Sequence, residues 1–243
     1  MDGLSLAFFL AAAFLGGLTS GVSGFAMGLV VSGVWLHIIT PQQNALLIVL
    51  CGLVTQGSGI WKLRNAISWR AVAPFIIGGL LGVPAGTALL KTVQQGTLRP
   101  CIGVLLVIYS LYSLFRPALK PVQGSVGTDF VVGIVNGFIG GLTGLGGIAV
   151  TIWCQLRGGS KDAQRAIFQP VLFATFVTSA ITYAFAGAYN VETLKLYAFA
   201  LPVLGVGIGC GFWLYGKLDD AAFRKLILVL LLVLGVTLIV PIR

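Results

Sequence analysis

The sequence predicts an all-α integral membrane protein made of two homologous halves. The first reason is composition, because 58% of the 243 residues are apolar, only 9% are charged, and the mean hydropathy is +1.03. A soluble domain carries about 25% charged residues, and no soluble core could enclose so much apolar surface. The other two reasons are a series of apolar blocks suited to a bilayer and a glycine-rich segment that occurs twice.

Eight apolar blocks follow one another along the chain, separated by short polar segments. A membrane-spanning helix needs about 20 mostly apolar residues, and these blocks approach or exceed that length. The first and fifth are the longest, are rich in glycine and hydroxyl residues, and are predicted to break in the middle. The blocks run from Leu4 to Ile39, Ala45 to Trp61, Ala71 to Leu90, Pro100 to Phe115, Phe130 to Leu156, Ala166 to Ala188, Leu194 to Tyr215 and Leu226 to Val240.

An internal repeat links the first and fifth blocks. The sequence Gly-Gly-Leu-Thr at residues 16–19 recurs at residues 140–143, and more glycines follow each copy within a few residues. Later landmarks keep nearly the same spacing, because Gly82 and Gly86 correspond to Gly207 and Gly211. An ordered series of matches predicts a duplicated unit of four blocks. The expected repeats are residues 1–119 and 129–243, joined by the polar linker 120–128.

The basic residues favour one of two topologies. If all eight blocks cross the bilayer, the fifteen lysines and arginines divide seven against eight and give no orientation signal. If the first and fifth blocks are re-entrant hairpins, eleven lie on one side and four on the other, which satisfies the positive-inside rule. Each half then has one hairpin and three transmembrane helices, so the halves are inverted and both termini face outside. Eight full crossings remain the alternative.

The two glycine-rich breaks are the predicted substrate-binding site. A break in a helix leaves backbone N–H groups without intrahelical partners, and together with the helix dipole these groups favour anions. Helix packing by the same small residues is the alternative interpretation of each one. The predicted site residues are Thr19, Ser20, Ser23 and Gly24 in the first half and Thr143, Gly144, Gly146 and Gly147 in the second, with the intramembrane amides Gln56 and Gln169 as further candidates.

The acidic residues indicate the charge of the substrate, because all six lie at block edges or in loops. Cation carriers and carboxylate proton relays usually need an acid inside the membrane, so this pattern favours an anionic or neutral substrate. A membrane potential that is negative inside drives a monovalent anion outward by about 2.3 kcal/mol per 100 mV, so its export needs no coupled ion. No cofactor or metal is expected, since the four cysteines and the single histidine show no ligand spacing.

At the two breaks, and at Asn-Ala-Ile-Ser-Trp-Arg (residues 65–70) before Gly78-Gly79, the sequence resembles the sulfite exporter TauE/SafE family, anion permeases of the 4-toluene sulfonate uptake permease type. The resemblance covers nearly the whole chain. It implies a multi-pass permease of the bacterial inner membrane that moves sulfite, a sulfonate or a related organosulfur anion. The expected partners are this small anion and the lipid bilayer. Whether the chain forms a homo-oligomer is left open. Nucleic acid is not expected, since the basic residues stand singly at segment ends.

An enzyme and a non-transporting scaffold are the two other classes of function to compare with transport. A membrane-embedded enzyme needs a converging acid–base pair or metal cluster, which one histidine and no acid deep in a block do not supply. A non-transporting scaffold or assembly factor remains the alternative, because glycine-rich helices can serve association alone. The duplicated broken helices favour transport, and the predicted function is export of a small anion through a site between the two repeats.

Overall fold

A computed structural model describes residues 3–89, 95–115, 121–143, 146–185, 187 and 189–239. Within these ranges the chain is all-α, as the sequence predicts. The helices are α1 (Gly3–Ser23), α2 (Met27–Trp35), α3 (Pro41–Leu63), α4 (Trp69–Leu89), α5 (Gln95–Phe115), α6 (Val126–Thr143), α7 (Ile148–Arg157), α8 (Lys161–Phe185), α9 (Val191–Lys217) and α10 (Asp220–Ile239).

Five helices in the described part of the chain are long and apolar enough to cross a membrane, judged by length and composition. They cover Gly3–Ser23, Gln42–Leu63, Trp69–Ala88, Lys161–Phe185 and Val191–Lys217. Large apolar side chains on these helices are exposed, among them Ile77, Leu81 and Val206. Exposed apolar side chains on helices of this length are suited to lipid rather than to water. The chain is therefore a multi-pass membrane protein.

The first and fifth apolar blocks each form two helices. Helix α1 ends at Ser23 and α2 begins at Met27, while α6 ends at Thr143 and α7 begins at Ile148. The backbone at the two breaks has a positive φ, 89° at Gly24 and 100° at Gly147. Residues with a Cβ rarely adopt this conformation, so the glycines permit the break.

The helices form two compact units that do not coincide with the two halves of the sequence. Unit 1 consists of Met1–Ile67 and Gln169–Lys217, and unit 2 consists of Ser68–Phe168 and Leu218–Arg243. Each unit therefore combines helices from both halves. The predicted repeats, residues 1–119 and 129–243, are defined by matches in sequence and not by which helices pack together. The duplication stays a prediction.

In unit 1, glycines bring the backbones of α1 and α9 into direct contact. A Cβ on Gly17 would lie 2.5 Å from the carbonyl oxygen of Leu204, and a Cβ on Gly21 would lie 2.8 Å from the Cα of Gly211. From the other side, a Cβ on Gly207 would overlap a carbonyl oxygen of α1. Because lipid supplies no hydrophobic drive for helix association, close backbone packing is a main source of stability here.

In unit 2, helices α4 and α6 pack in the same way. A Cβ on Gly78 or Gly82 would overlap carbonyl oxygens of α6, and a Cβ on Gly133, Gly137 or Gly141 would overlap or closely approach carbonyl oxygens of α4. Helix α5 packs against α10 in the same unit. Each of the two glycine-lined contacts joins a helix from the first half of the sequence to one from the second half.

Three helices end in a pair formed by a tryptophan and a basic side chain. The guanidinium carbon of Arg64 lies 4.7 Å from the ring centre of Trp61 at the end of α3, and the Lys217 ammonium lies 3.5 Å from that of Trp213 at the end of α9. The third pair is at the end of α7, where the guanidinium carbon of Arg157 lies 5.7 Å from the ring centre of Trp153. Aromatic and basic residues are typical of the membrane–water interface, so these helix ends are suited to that level of the bilayer.

Candidate functional site

The break between α1 and α2 is closed by local hydrogen bonds. The hydroxyl of Ser23 donates to the carbonyl of Thr19 at 2.8 Å and accepts the N–H groups of Phe25 and Ala26 at 3.4 and 3.3 Å. The N–H of Gly24 donates to the carbonyl of a residue one turn earlier at 2.7 Å. Ser23 therefore satisfies backbone groups that the end of a helix would otherwise leave without partners.

A buried amide from α3 holds this break in place. The Nε2 of Gln56 donates to the carbonyl oxygen of Gly24 at 2.9 Å, and the side chain is only 1% exposed. This bond fixes which end of the amide is the nitrogen. The Oε1 of Gln56 is then an acceptor that has no hydrogen-bond partner in the described part of the chain.

Gln169 lies on α8 in the same unit and faces α3. Its amide packs so closely on Gly59 that a Cβ there would collide with it. Its Oε1 is buried and, within the described ranges, accepts no hydrogen bond. Unit 1 thus contains a buried amide from each half of the sequence, each with an acceptor oxygen that the described residues do not satisfy.

The break between α6 and α7 is held by a different amide, that of Asn136. Its Oδ1 accepts the N–H groups of Gly147 at 3.0 Å and Val150 at 3.4 Å, so Asn136 on α6 caps the start of α7. Its Nδ2 is buried and has no hydrogen-bond partner among the described residues. The two breaks therefore differ in polarity, because the amide beside Gly24 leaves an acceptor and the amide beside Gly147 leaves a donor.

At their other ends, the helices of each broken pair are tied together. The start of α6 meets the end of α7 through Asp129, whose Oδ2 lies 3.1 Å from Nη1 of Arg157 and whose Oδ1 accepts the indole N–H of Trp153 at 2.9 Å. In the other pair, Nε1 of Trp35 donates to the carbonyl of Phe9 at 3.0 Å, and their rings stack 4.8 Å apart. Both second helices therefore run back along the first.

The remaining predicted site residues have varied positions. The hydroxyl of Thr19 donates to the carbonyl of Leu15 at 2.6 Å within α1, and Ser20 is buried. Gly146 lies in the turn before α7. Thr143 ends α6, but its side chain and all of Gly144 lie outside the described residues. The structure brings together Ser23, Gly24 and Gln56 in unit 1, and Gly146 and Gly147 in unit 2.

Two residues that bear on the site were not predicted from the sequence. Asn136 is an amide inside an apolar block, which is the same signal that selected Gln56 and Gln169. Arg165, which the charge count treats as a loop residue, is fully buried in α8. Nothing local in the sequence shows that burial, because burial depends on which distant parts of the chain pack against the side chain.

Discontinuous helices of the kind seen at the two glycine breaks are a common feature of transport proteins. The chain is a member of the Sulfite exporter TauE/SafE family, whose model matches residues 9–238. It is 25% identical to the probable sulfite/organosulfonate exporter TauE of Cupriavidus necator, over 90% of this chain and 88% of that protein. No solved structure shows a significant match. The resemblance seen in the sequence is thereby confirmed, and the family is one of exporters.

Proposed function

We propose that this protein exports sulfite or an organosulfonate across the bacterial inner membrane through a site between the two sequence repeats. The family and the name of the Cupriavidus relative support an oxyanion of sulfur as substrate. The observation that carries the proposal is the start of α7, where the positive end of a helix dipole lies beside the unpartnered donor of a buried amide.

The charges of the described residues agree with an anionic substrate. Asp129 is the only buried acid in the described ranges, and its carboxylate is already neutralised by Arg157. Arg165 is a second charged side chain that is fully buried. A buried charge is costly in a membrane protein, and such residues usually mark the path of an ion or substrate.

The second part of the proposal is that both helix pairs are re-entrant. The contacts of Asp129 with Arg157 and of Phe9 with Trp35 support it, because they join the two ends of each broken pair. A pair whose ends are joined enters and leaves the bilayer on the same side. The positive-inside count of eleven against four favours the same topology.

Single cysteines on either side of the second hairpin test this topology. We expect Gln123→Cys, before α6, and Ala163→Cys, after α7, to react with a membrane-impermeant maleimide only from the cytoplasmic side, since both positions are exposed. Glu192→Cys, in the first turn of α9, should react only from the opposite side and serves as the control. All three are made after the four native cysteines have been replaced by alanine. Labelling of positions 123 and 163 from opposite sides would instead support eight full crossings.

Transport itself is tested by efflux of sulfite and methanesulfonate from proteoliposomes. We expect efflux above that of empty vesicles, accelerated by an inside-negative potential and slowed when the potential is reversed. If a single negative charge moves, 100 mV should change the equilibrium distribution roughly 50-fold. Absence of flux for both anions, with protein shown to be folded, would favour the alternative of a non-transporting scaffold.

A further inference from the structure

We propose that the side chains of Asn136 and Thr151 bind the ionised oxygens of the transported oxyanion at the start of α7. The inference rests on the proposed function for the identity of the ligand, but its evidence lies in buried polar atoms of unit 2. The glycine break supplies backbone donors. The inference adds two side chains, which favour an oxyanion as the substrate.

Asn136 presents a donor that the protein does not satisfy. Its side chain is 0% exposed, and the two hydrogen bonds to its Oδ1 fix the amide so that Nδ2 lies beside the N–H of Gly147. That nitrogen carries two hydrogens with no acceptor among the described residues. A buried donor without a partner is energetically unfavourable, so a group that accepts its hydrogens would be stabilised there.

The first turn of α7 supplies further donors at the same place. The first N–H groups of a helix have no intrahelical partners. Asn136 accepts those of Gly147 and Val150, which leaves the N–H groups of Ile148 and Ala149 outside this cap. The helix has 10 residues, enough for its dipole to favour negative charge at this end. Side-chain and backbone donors therefore occur together where an anion is favoured.

Thr151 adds a hydroxyl one turn into the helix, where its N–H donates to the carbonyl of Gly147 at 3.0 Å. Side chains on a helix lean toward its N-terminus, so this hydroxyl is directed toward the break. Its Oγ1 is buried and, within the described part of the chain, makes no hydrogen bond. Threonine hydroxyls elsewhere in these helices donate to the carbonyl four residues earlier, at Thr19, Thr87, Thr175, Thr178 and Thr182.

This set of groups predicts a specific preference. Amide and backbone N–H groups can only donate, and a hydroxyl can donate, so the site suits a ligand whose oxygens are all acceptors and carry negative charge. A sulfonate fits this description, because its three oxygens share one charge. Dimethyl sulfone has a similar shape but no charge, and should bind far more weakly.

Two substitutions test the proposal by titration calorimetry of the full chain in nanodiscs, with methanesulfonate and sulfite as probes. Asn136→Asp keeps an oxygen for the cap but replaces the donor by a second acceptor, and the capping N–H bonds favour its ionised form. Thr151→Val keeps the shape of the side chain and removes the hydroxyl. Each should weaken binding of both anions about tenfold or more, since a hydrogen bond to a charged group is lost.

Matched controls make the same chemical changes at buried positions in unit 1. Asn44 is 6% exposed and donates to the hydroxyl of Ser32, so Asn44→Asp introduces a comparable buried acid. Thr193 is 0% exposed and its Oγ1, like that of Thr151, has no partner among the described residues. Whatever their effect on stability, Asn44→Asp and Thr193→Val should leave the affinity for both anions within about twofold of wild type.

The outcomes separate this inference from the proposed function. Wild-type affinity in Thr151→Val and in folded Asn136→Asp, or equal losses in the controls, would overturn the assignment even if the protein transports sulfite. Failure of the unmodified protein to bind either anion would also overturn it. Selective loss in the two test variants, together with no flux in proteoliposomes, would support the binding site and reject export as its function.

Discussion

Replacing Gly207 with leucine is expected to abolish the folded protein, whereas the same change at Gly209 on the same helix should be tolerated. A Cβ at Gly207 would overlap the carbonyl oxygen of Phe14, and a leucine adds three further carbons at that point. Backbone atoms of a packed helix cannot rotate away as a side chain can, so α1 and α9 would have to separate. Even a modest excess of volume in a packed core typically costs about 1–3 kcal/mol.

Gly209 provides the control, because a Cβ there meets no atom within 4 Å and the residue is exposed. Both variants can be compared with wild type by size-exclusion chromatography and thermal unfolding in detergent. The leucine at position 209 should give a monodisperse peak and an unfolding temperature equal to or above that of wild type, since glycine is the weaker helix former. A stable Gly207→Leu variant would show that the close contact between α1 and α9 is absent from the folded protein.

Gly147→Ala should reduce anion flux about tenfold or more while the protein remains folded in the membrane. At a φ of 100° an added Cβ introduces backbone strain of roughly 1–2 kcal/mol. The strain is relieved if the start of α7 shifts, and the shift would displace the N–H groups that Asn136 caps. Flux per amount of folded protein in proteoliposomes is the measurement.

The control for strain alone is Gly187→Ala. This glycine also has a positive φ, 65°, and an added Cβ there would meet no atom within 4 Å. We expect a similar small loss of stability and unchanged flux. If both variants lose flux equally, the geometry of the second break has no special part in transport.

The sequence predicts the two helix breaks to different extents. Glycine and hydroxyl content located both breaks, because positive φ and local capping depend on residues near each other in the chain. The sequence also led to Gln56, since an amide inside an apolar block is visible without a fold. It did not show that this amide bonds to Gly24, which is 32 residues away.

Asn136 shows why the second break was incompletely predicted. The predicted donors there were the backbone N–H groups of Gly144, Gly146 and Gly147, but the N–H of Gly147 is already bonded to Asn136. The same contact leaves the amide nitrogen of Asn136 as a new donor. Only the path of α7 back along α6 decides which hydrogen-bond donors are already bonded within the protein and which are left without a partner.

By itself, the sequence determined that this is an all-α membrane protein of the sulfite exporter family with two glycine-broken helix pairs, because composition, apolar block length and local glycine chemistry act over short stretches of chain. The tertiary structure decided which helices share a unit, which glycines carry backbone contacts, and which buried amides hold the breaks. Those features depend on contacts between residues far apart in sequence. Their energies come from packing and hydrogen bonding that exist only once the helices have assembled.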